Sequence, residues 1–563
     1  MLLADALVEI LKTLQVRYVF GVSGANIEHF HDAMYRVGDG KIDAILAKHE
    51  SAAAFMADGV ARTHNTLGVC CATSGGGMMN LAVGIAEAFA DGVPLLAIIG
   101  QPPTRLEGKG AFQDSSGAKN TVNAVQLFES ISKCVVKISS KTDFQQTMLH
   151  ILTTIFDKRL GPGVLLIPSD LFTMEVDLTD YTSLFQLNNF RQRELNTPNQ
   201  LYHQINSRLE AANNPLILLG KHVKFSLDAN VLEKFSNHYN CSIASSLADV
   251  GASLQNNARH IGLVGICGHT DLHQYIEKHV DLFIAIECDL SVMTTFGISN
   301  SMNETNCVYI GKDAGLAKCI VNIDNVIEGE TNHILNTLME LSPNLSIVKN
   351  GRDNTVPKFK RQIVASDHNL IPILNQLQSS VSKVDNIYFD AGDCVATAAH
   401  YLKFSDHTKT FIALGMGNMG YAIPAAIGGQ LYSSKEQRSI VFVGDGGFLM
   451  SGFEIHTAVE LKLPILFIIF NNNKHGMCAT RQKLFFENRV ISATYADVHP
   501  AQAVQSLCDA PQLICYRCVT TKQLETALEN YAANNEKTFV IEIVVSQDDI
   551  PPFIPFQNIR KKD

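Results

Sequence analysis

Leu7, Ile10, Leu11 and Leu14 recur at i, i+3, i+4 and i+7, a spacing that predicts an amphipathic helix near the start of the chain. Tyr18 to Val22 then reads as a short buried strand. Residues 68–73 predict a second strand, Ser74 to Gly77 a turn, Met78 to Ala90 a helix and Leu95 to Gly100 a third strand, which together make one βαβ unit. The same alternation continues, with apolar strand runs at 215–220, 280–286, 386–390, 439–443 and 465–470. Strands that alternate with helices in this way predict an α/β fold with parallel sheets. Two polar stretches, 182–200 and 342–369, lack periodicity and read as linkers. They divide the chain into expected domains at 1–180, 195–345 and 365–550, with a tail at 551–563.

Composition narrows the function classes. The 563 residues are 46% hydrophobic and 18% charged, with a formal net charge of −10. No broad basic field is available to nucleic acid or to an anionic membrane surface, so neither is expected as a partner. No apolar run approaches the roughly 20 residues that span a bilayer. The start, Met1-Leu2-Leu3-Ala4-Asp5, lacks the charged and apolar regions of a signal peptide, and a cytoplasmic location is expected. The 13 cysteines are scattered as free thiols would be. Cys515 and Cys518 form a lone CxxC inside the strand-like run 513–519, which reads as strand rather than zinc site.

The chemistry concentrates where two predicted strands end. Gly444-Asp445-Gly446-Gly447 follows one, Asn471-Asn472-Asn473 follows the next, and a helix-like segment from Gly452 to Leu463 lies between. Ligands of open parallel sheets sit at such carboxyl ends. Asp445 offers a carboxylate oxygen and Asn472 an amide oxygen, which suit a hard cation such as Mg²⁺. Gly446 and Gly447 let backbone N–H groups approach phosphate oxygens closely.

With these residues in place the chain resembles the thiamine-diphosphate enzymes, whose motif is GDG, a helix and then NN. The resemblance implies three doubly wound domains: an N-terminal pyrimidine-binding domain, a central α/β domain and a C-terminal diphosphate-binding domain. It implies thiamine diphosphate and Mg²⁺ as cofactors, with the metal held by Asp445, Asn472 and the main-chain oxygen of Lys474. The segment from Leu46 to Arg62 resembles the one that carries the family's catalytic Glu, here Glu50. That residue would exchange a proton with the aminopyrimidine, and a carboxyl among apolar neighbours such as Ala52 to Ala57 can share a proton at neutral pH. Gly24, Thr73 and Asn80 fall in segments that resemble the family's substrate-side turn and its TSGPGxxN segment. Gly415 to Gly420 resembles the loop that bends the cofactor, with the Gly417 carbonyl and Met419 N–H on the pyrimidine and the Met419 side chain as the wedge. Gly392, in the turn Asp390 to Cys394, and Gly446, Gly447, His475, Gly476 and Met477 complete the implied cofactor contacts.

Within the family, Ala111-Phe112-Gln113-Asp114 resembles the AFQE segment of acetohydroxyacid synthases, whose Phe and Gln line the reaction site, and Arg105 stands where synthases also have Arg. The resemblance therefore implies a carboligase: a 2-oxo acid donor is decarboxylated and its acyl-anion equivalent passes to a carbonyl acceptor. It also implies a homodimer or homotetramer with shared sites. A non-ligating decarboxylase that releases an aldehyde is the alternative, and a catalytically silent paralogue a third reading. The chain departs from the synthases at several positions. Arg481 replaces the Trp that shapes the acceptor pocket, Ser169 replaces a Lys, and Asp393 stands where Gln is usual. Gly220-Lys221-His222 replaces the glycine run of the flavin site and Cys288 its Arg, which weighs against FAD.

Overall fold

The computed structural model describes the chain except at residues 119, 192–197, 250–256, 304–305, 314, 316–322, 324, 344, 346–368, 406, 435, 509, 546–549, 552 and 554–563. Among the described residues, eighteen parallel strands make three six-stranded sheets, and the apolar runs read from the sequence lie inside their edges. The first sheet joins β1 (Tyr18–Gly21), β2 (Asp43–Leu46), β3 (Gly68–Ala72), β4 (Leu95–Gln101), β5 (Cys134–Lys137) and β6 (Pro162–Pro168) in the order β2-β1-β3-β4-β6-β5. The second joins β7 (Pro215–Leu219), β8 (Ser242–Ser245), β9 (His260–Leu263), β10 (Leu282–Ile286), β11 (Cys307–Gly311) and β12 (Val326–Glu328) as β12-β11-β10-β7-β8-β9. The third joins β13 (Asn386–Phe389), β14 (Lys409–Ile412), β15 (Ser439–Gly444), β16 (Ile465–Asn471), β17 (Leu513–Cys518) and β18 (Thr538–Val544) as β14-β13-β15-β16-β18-β17. The third sheet repeats the winding of the first, strand for strand. No short-period sequence repeat announces this, because a sheet covered on both faces needs only continuous apolar strands. β3, β4, β6, β16 and most of β18 are buried along their lengths.

Two helices join the first and third domains within one chain. Glu50–His64 packs along Ala422–Tyr432, and both give up side chains to do so. A Cβ on Gly59 would lie 2.0 Å from the Ala425 carbonyl oxygen, and one on Gly428 would lie 2.0 Å from that of Met56. Only glycine permits that approach.

Two local expectations are corrected. The helix after β15 begins at Asp445, not at Gly452, so the acidic residue is the first of a helix rather than part of a turn. Likewise the helix after β3 begins at Gly76, since the turn is completed by Ser74 and Gly75, the latter at φ +67°. The polar stretch 182–200 is also more than a linker. Short helices at Tyr181–Leu184 and Leu187–Arg191 lay Phe185 and Phe190 on the first domain's core, and Phe190 stacks on Phe156. Stretch 342–369 and tail 551–563 fall largely outside the described residues. Cys515 and Cys518 lie on β17, as strand residues, and both are free. Among the described residues no helix is long and apolar enough to cross a membrane.

Candidate active site

Glu50 opens the helix that follows β2, where the chain has just turned from strand to helix. Its Oε2 accepts the Asn80 amide at 2.9 Å, and its Oε1 faces Gly77, where a Cβ would come within 3.2 Å. The segment before it is held from the third domain: Glu454 Oε1 accepts the Lys48 and His49 backbone N–H groups at 2.6 and 3.1 Å. Around Glu50 the strand ends of the first sheet gather Gly24, Thr73 and Gln113. Gly24 lies against Thr73 so closely that a Cβ would meet its side chain at 2.7 Å. Thr73 donates to Gln113 Oε1 at 3.3 Å and accepts the Asn26 N–H at 3.3 Å, while the Asn26 amide donates to Ser74. Gln113 has φ +60°, an unusual backbone for a residue with a side chain, of the kind that concentrates at functional sites.

The second group sits at the carboxyl ends of β15 and β16. Asp445 is buried. Its Oδ1 accepts the Gly446 N–H at 2.9 Å and its Oδ2 the Asn472 N–H at 3.1 Å, so the two halves of the motif touch. Burial pushes the Asp445 carboxyl above the usual carboxylate range against these hydrogen bonds, a cost that a nearby cation would offset. Lys474 bridges Thr494 through its backbone, and His475 donates its backbone N–H to Ala493. The His475 ring lies over Gly446, where a Cβ would meet Nδ1 at 2.7 Å. Nδ1 is buried without a hydrogen-bond partner. Met419 reaches the same glycine, with its Cε 3.1 Å from that Cβ position. Gly476 opens the next helix beside Asp393, and Met477 turns its side chain onto the core.

Asp390 holds this group together, and sequence reading passed over it for its neighbour Asp393. Oδ1 accepts the Ala391 and Gly420 N–H groups and Oδ2 that of Ala422, all at 2.9 Å. A Cβ on Gly447 would strike Oδ1 at 2.7 Å. One buried carboxyl, pushed up to about 6 by burial, thus ties the Gly392 turn, the 415–420 loop and the helix after β15. Its signal was available: an acid at the end of an apolar strand, Asn386 to Phe389, must find donors or remain unpaid in solvation.

The residues fit a diphosphate and a cation. A Cβ on Gly392, Gly417 or Gly444 would meet nothing within 4 Å, so open space lies over all three. Beside it stand the unpartnered His475 Nδ1 and the buried carboxyls of Asp445 and Asp390. Asp445, Asn472 and the Lys474 carbonyl are all oxygen donors, suited to Mg²⁺. Among the described residues no cluster of three His, Cys, Asp or Glu side chains could hold a softer metal.

Not every candidate joins these groups. Phe112 is 83% exposed, although its neighbour Gln113 turns inward. Arg481 is exposed and reaches Cys478 Sγ at 3.4 Å, one turn back on its own helix. Among the described residues no hydrogen bond joins Glu50 to Asp445. Glu454, which holds Lys48, comes nine residues after Asp445 in sequence. Met79 and Val83 on the Gly76–Asp91 helix, and Leu449, Met450 and Phe453 after Asp445, are exposed.

Comparison with known proteins gives three family matches in chain order. Residues 1–121 match the thiamine pyrophosphate enzyme N-terminal TPP binding domain, residues 202–338 its central domain and residues 390–543 its C-terminal TPP binding domain. The chain is 28% identical to the probable acetolactate synthase large subunit of Methanocaldococcus jannaschii, over 98% of this chain and 93% of that protein. It is 27% identical to the acetolactate synthase large subunit of Lactococcus lactis subsp. lactis (98% and 94%) and 24% identical to the isozyme 2 large subunit of Escherichia coli (98% and 97%).

Proposed function

Because the chain belongs to the thiamine pyrophosphate enzymes and is acetolactate synthase-like, we propose that it decarboxylates a 2-oxo acid and transfers the acyl-anion equivalent to a second carbonyl compound. The observation that carries this reading is the contact of Asp445 with Asn472 beside open glycines, together with a Glu50 carboxylate held by Asn80. Thiamine diphosphate, when bound, would supply the nucleophilic carbon and the electron sink that decarboxylation of a 2-oxo acid needs. Asp445, Asn472 and the Lys474 carbonyl would hold Mg²⁺, and the backbone at Gly392, Gly446, Gly447 and Gly476 would face the phosphates. Glu50 holds and returns a proton at the aminopyrimidine, with Asn80 fixing which oxygen is free. Gln113 would line the reaction site, and Thr73, hydrogen-bonded to it, would face the cofactor. CO₂ release from 2-oxo acids should require added thiamine diphosphate and Mg²⁺. Release that is indifferent to both would overturn the reading.

No flavin has a role in this proposal. The order in which the parallel strands of the central sheet are laid down reverses between β7 and β10, where a nucleotide would enter. There a Cβ on Gly220 would lie 2.2 Å from the Cys288 Cα, Lys221 pairs with Asp91 at 2.8 Å, and His222 lies buried against Gly92. These contacts are what weighs against a flavin in our reading.

A complete site needs Glu50 from one subunit and Asp445 from another, and the exposed apolar side chains on the Gly76–Asp91 and Asp445–Ser451 helices suit a second copy. Mixing inactive Glu50→Gln and Asp445→Ala subunits should restore activity, since one mixed site carries both wild-type residues. Proven subunit exchange without recovery would count against a shared site.

Arg481 selects the acceptor through a carboxylate. A guanidinium fork matches a carboxylate in two hydrogen bonds, which the Trp of synthases cannot make. Arg481 is exposed, and its one side-chain partner among the described residues is the weak acceptor Cys478 Sγ at 3.4 Å, which an acceptor carboxylate would replace. Arg481→Ala should weaken use of charged acceptors by about 1.5–3 kcal/mol, roughly ten- to hundred-fold, and leave uncharged acceptors and CO₂ release unchanged. Equal losses for both acceptor types, or none, would refute charge selection.

A further inference from the structure

The loop Gly415–Gly420 is exposed from Gly415 to Gly417, yet its shape is set from beneath by an acid pair on the Gly76–Asp91 helix. Glu87 is fully buried. Its Oε1 accepts the Gly415 N–H at 3.0 Å, and its Oε2 accepts the Met416 N–H at 3.0 Å and the Asn418 amide at 2.9 Å. Asp91, four residues on, accepts the Leu414 N–H at 3.4 Å. Three successive backbone amides therefore end on two carboxylates one turn apart. The approach is close enough that a Cβ on Gly415 would meet the Ala90 Cβ at 2.6 Å. Beyond this anchor the chain turns at Gly417 and Gly420, with φ of +69° and +80°, which leaves Met419 over Gly446.

We propose that Glu87 is a positioning residue of this enzyme, holding the Gly415–Asn418 segment in the shape that receives the cofactor's pyrimidine. The proposal rests on the reading of that loop given above. Seven residues, two helical turns, separate Glu87 from Asn80, so one face of one helix steadies both Glu50 and the loop.

The groups that face Glu87 explain why its charge matters. On its own helix stands Asp91. Across from it, on the Glu50–His64 helix, Arg62 approaches Glu87 at 3.8 Å and binds Asp58 at 2.6 Å and Asp91 at 2.8 Å. Tyr421 donates to Asp58 at 2.6 Å, and Lys221 from the central domain reaches Asp91 at 2.8 Å. Three acids thus share two cations. Burial, and then Asp91, push the Glu87 carboxyl up to about 7. A protonated Glu87 presents one oxygen less as an acceptor to its three donors. Cofactor affinity is therefore full well above pH 7 and falls as the pH drops through about 7.

The test uses full-length Glu87→Gln and Asn418→Ala, the second a loop change that leaves the buried cluster intact. In the absence of cofactor, hydrogen exchange of the 414–420 peptide should rise in both. The thiamine diphosphate Kd, measured by calorimetry with Mg²⁺, should rise about ten-fold or more for Glu87→Gln and roughly three-fold for Asn418→Ala. The part of the wild-type pH profile that falls near 7 should be flat in Glu87→Gln, a change that simple loss of stability would not produce. Wild-type exchange and affinity in both variants would overturn the assignment, as would a pH profile in Glu87→Gln that still falls near 7. If Glu87→Gln does not fold, Asn418→Ala decides alone: faster exchange with weaker binding supports the proposal, and wild-type values overturn it. A wild-type protein that binds no thiamine diphosphate would instead refute the reading of the loop.

Discussion

Glu50→Gln should abolish nearly all turnover, a loss of about 10²- to 10⁴-fold, while the protein folds normally and still binds thiamine diphosphate. Gln keeps the length of the side chain, so the Asn80 amide still finds an oxygen and the start of the helix is undisturbed. What disappears is the group that holds and returns a proton at the aminopyrimidine. The measurement is hydrogen–deuterium exchange at the cofactor's reactive carbon. The variant should exchange far more slowly than the wild type, and wild-type rates would reject the role of Glu50.

Asp445→Ala should remove Mg²⁺-dependent cofactor binding. The motif offers the metal one charged ligand, and the amide of Asn472 and a carbonyl cannot replace it. Losing an outer-shell partner of a metal site costs about 10- to 100-fold in affinity, so losing this direct ligand should cost more than about 100-fold. Asp445 also accepts the Asn472 N–H from a buried position, and its removal leaves that donor unpaired. Asp445→Asn separates the two effects, because it keeps an oxygen for the N–H and removes the charge. Titration calorimetry should find binding lost in both variants. Unchanged affinity at low Mg²⁺ in either would place the metal elsewhere.

Elements built on continuous apolar runs were legible to within a residue or two. The run 465–470 is β16 and the run 95–100 is β4, because a buried parallel strand needs no partner information beyond its own apolarity. Helix starts were less legible. Gly76 and Asp445 each begin a helix where glycines suggested a turn, since glycine at a helix N-terminus leaves room for backbone N–H groups to face a ligand. The site's named motifs could be read because their spacing is local: Asp445 and Asn472 lie at the ends of adjacent strands. The residues that position them could not. Glu87, Asp390 and Glu454 are buried acids, each with at least one donor that lies far away in sequence. Glu87 and Asp91 did leave a trace. Two acids at i, i+4 in an apolar helix repel each other unless something pairs with both, and Arg62, Lys221 and the loop amides do so.

Mass spectrometry of the products formed from a panel of 2-oxo acids, alone and in pairs, with thiamine diphosphate and Mg²⁺, tests the central claim most directly. The account predicts CO₂ together with a hydroxyketone or hydroxy-oxo acid that contains the carbons of both the decarboxylated donor and the acceptor. Aldehyde as the sole product, across every pair, would contradict it.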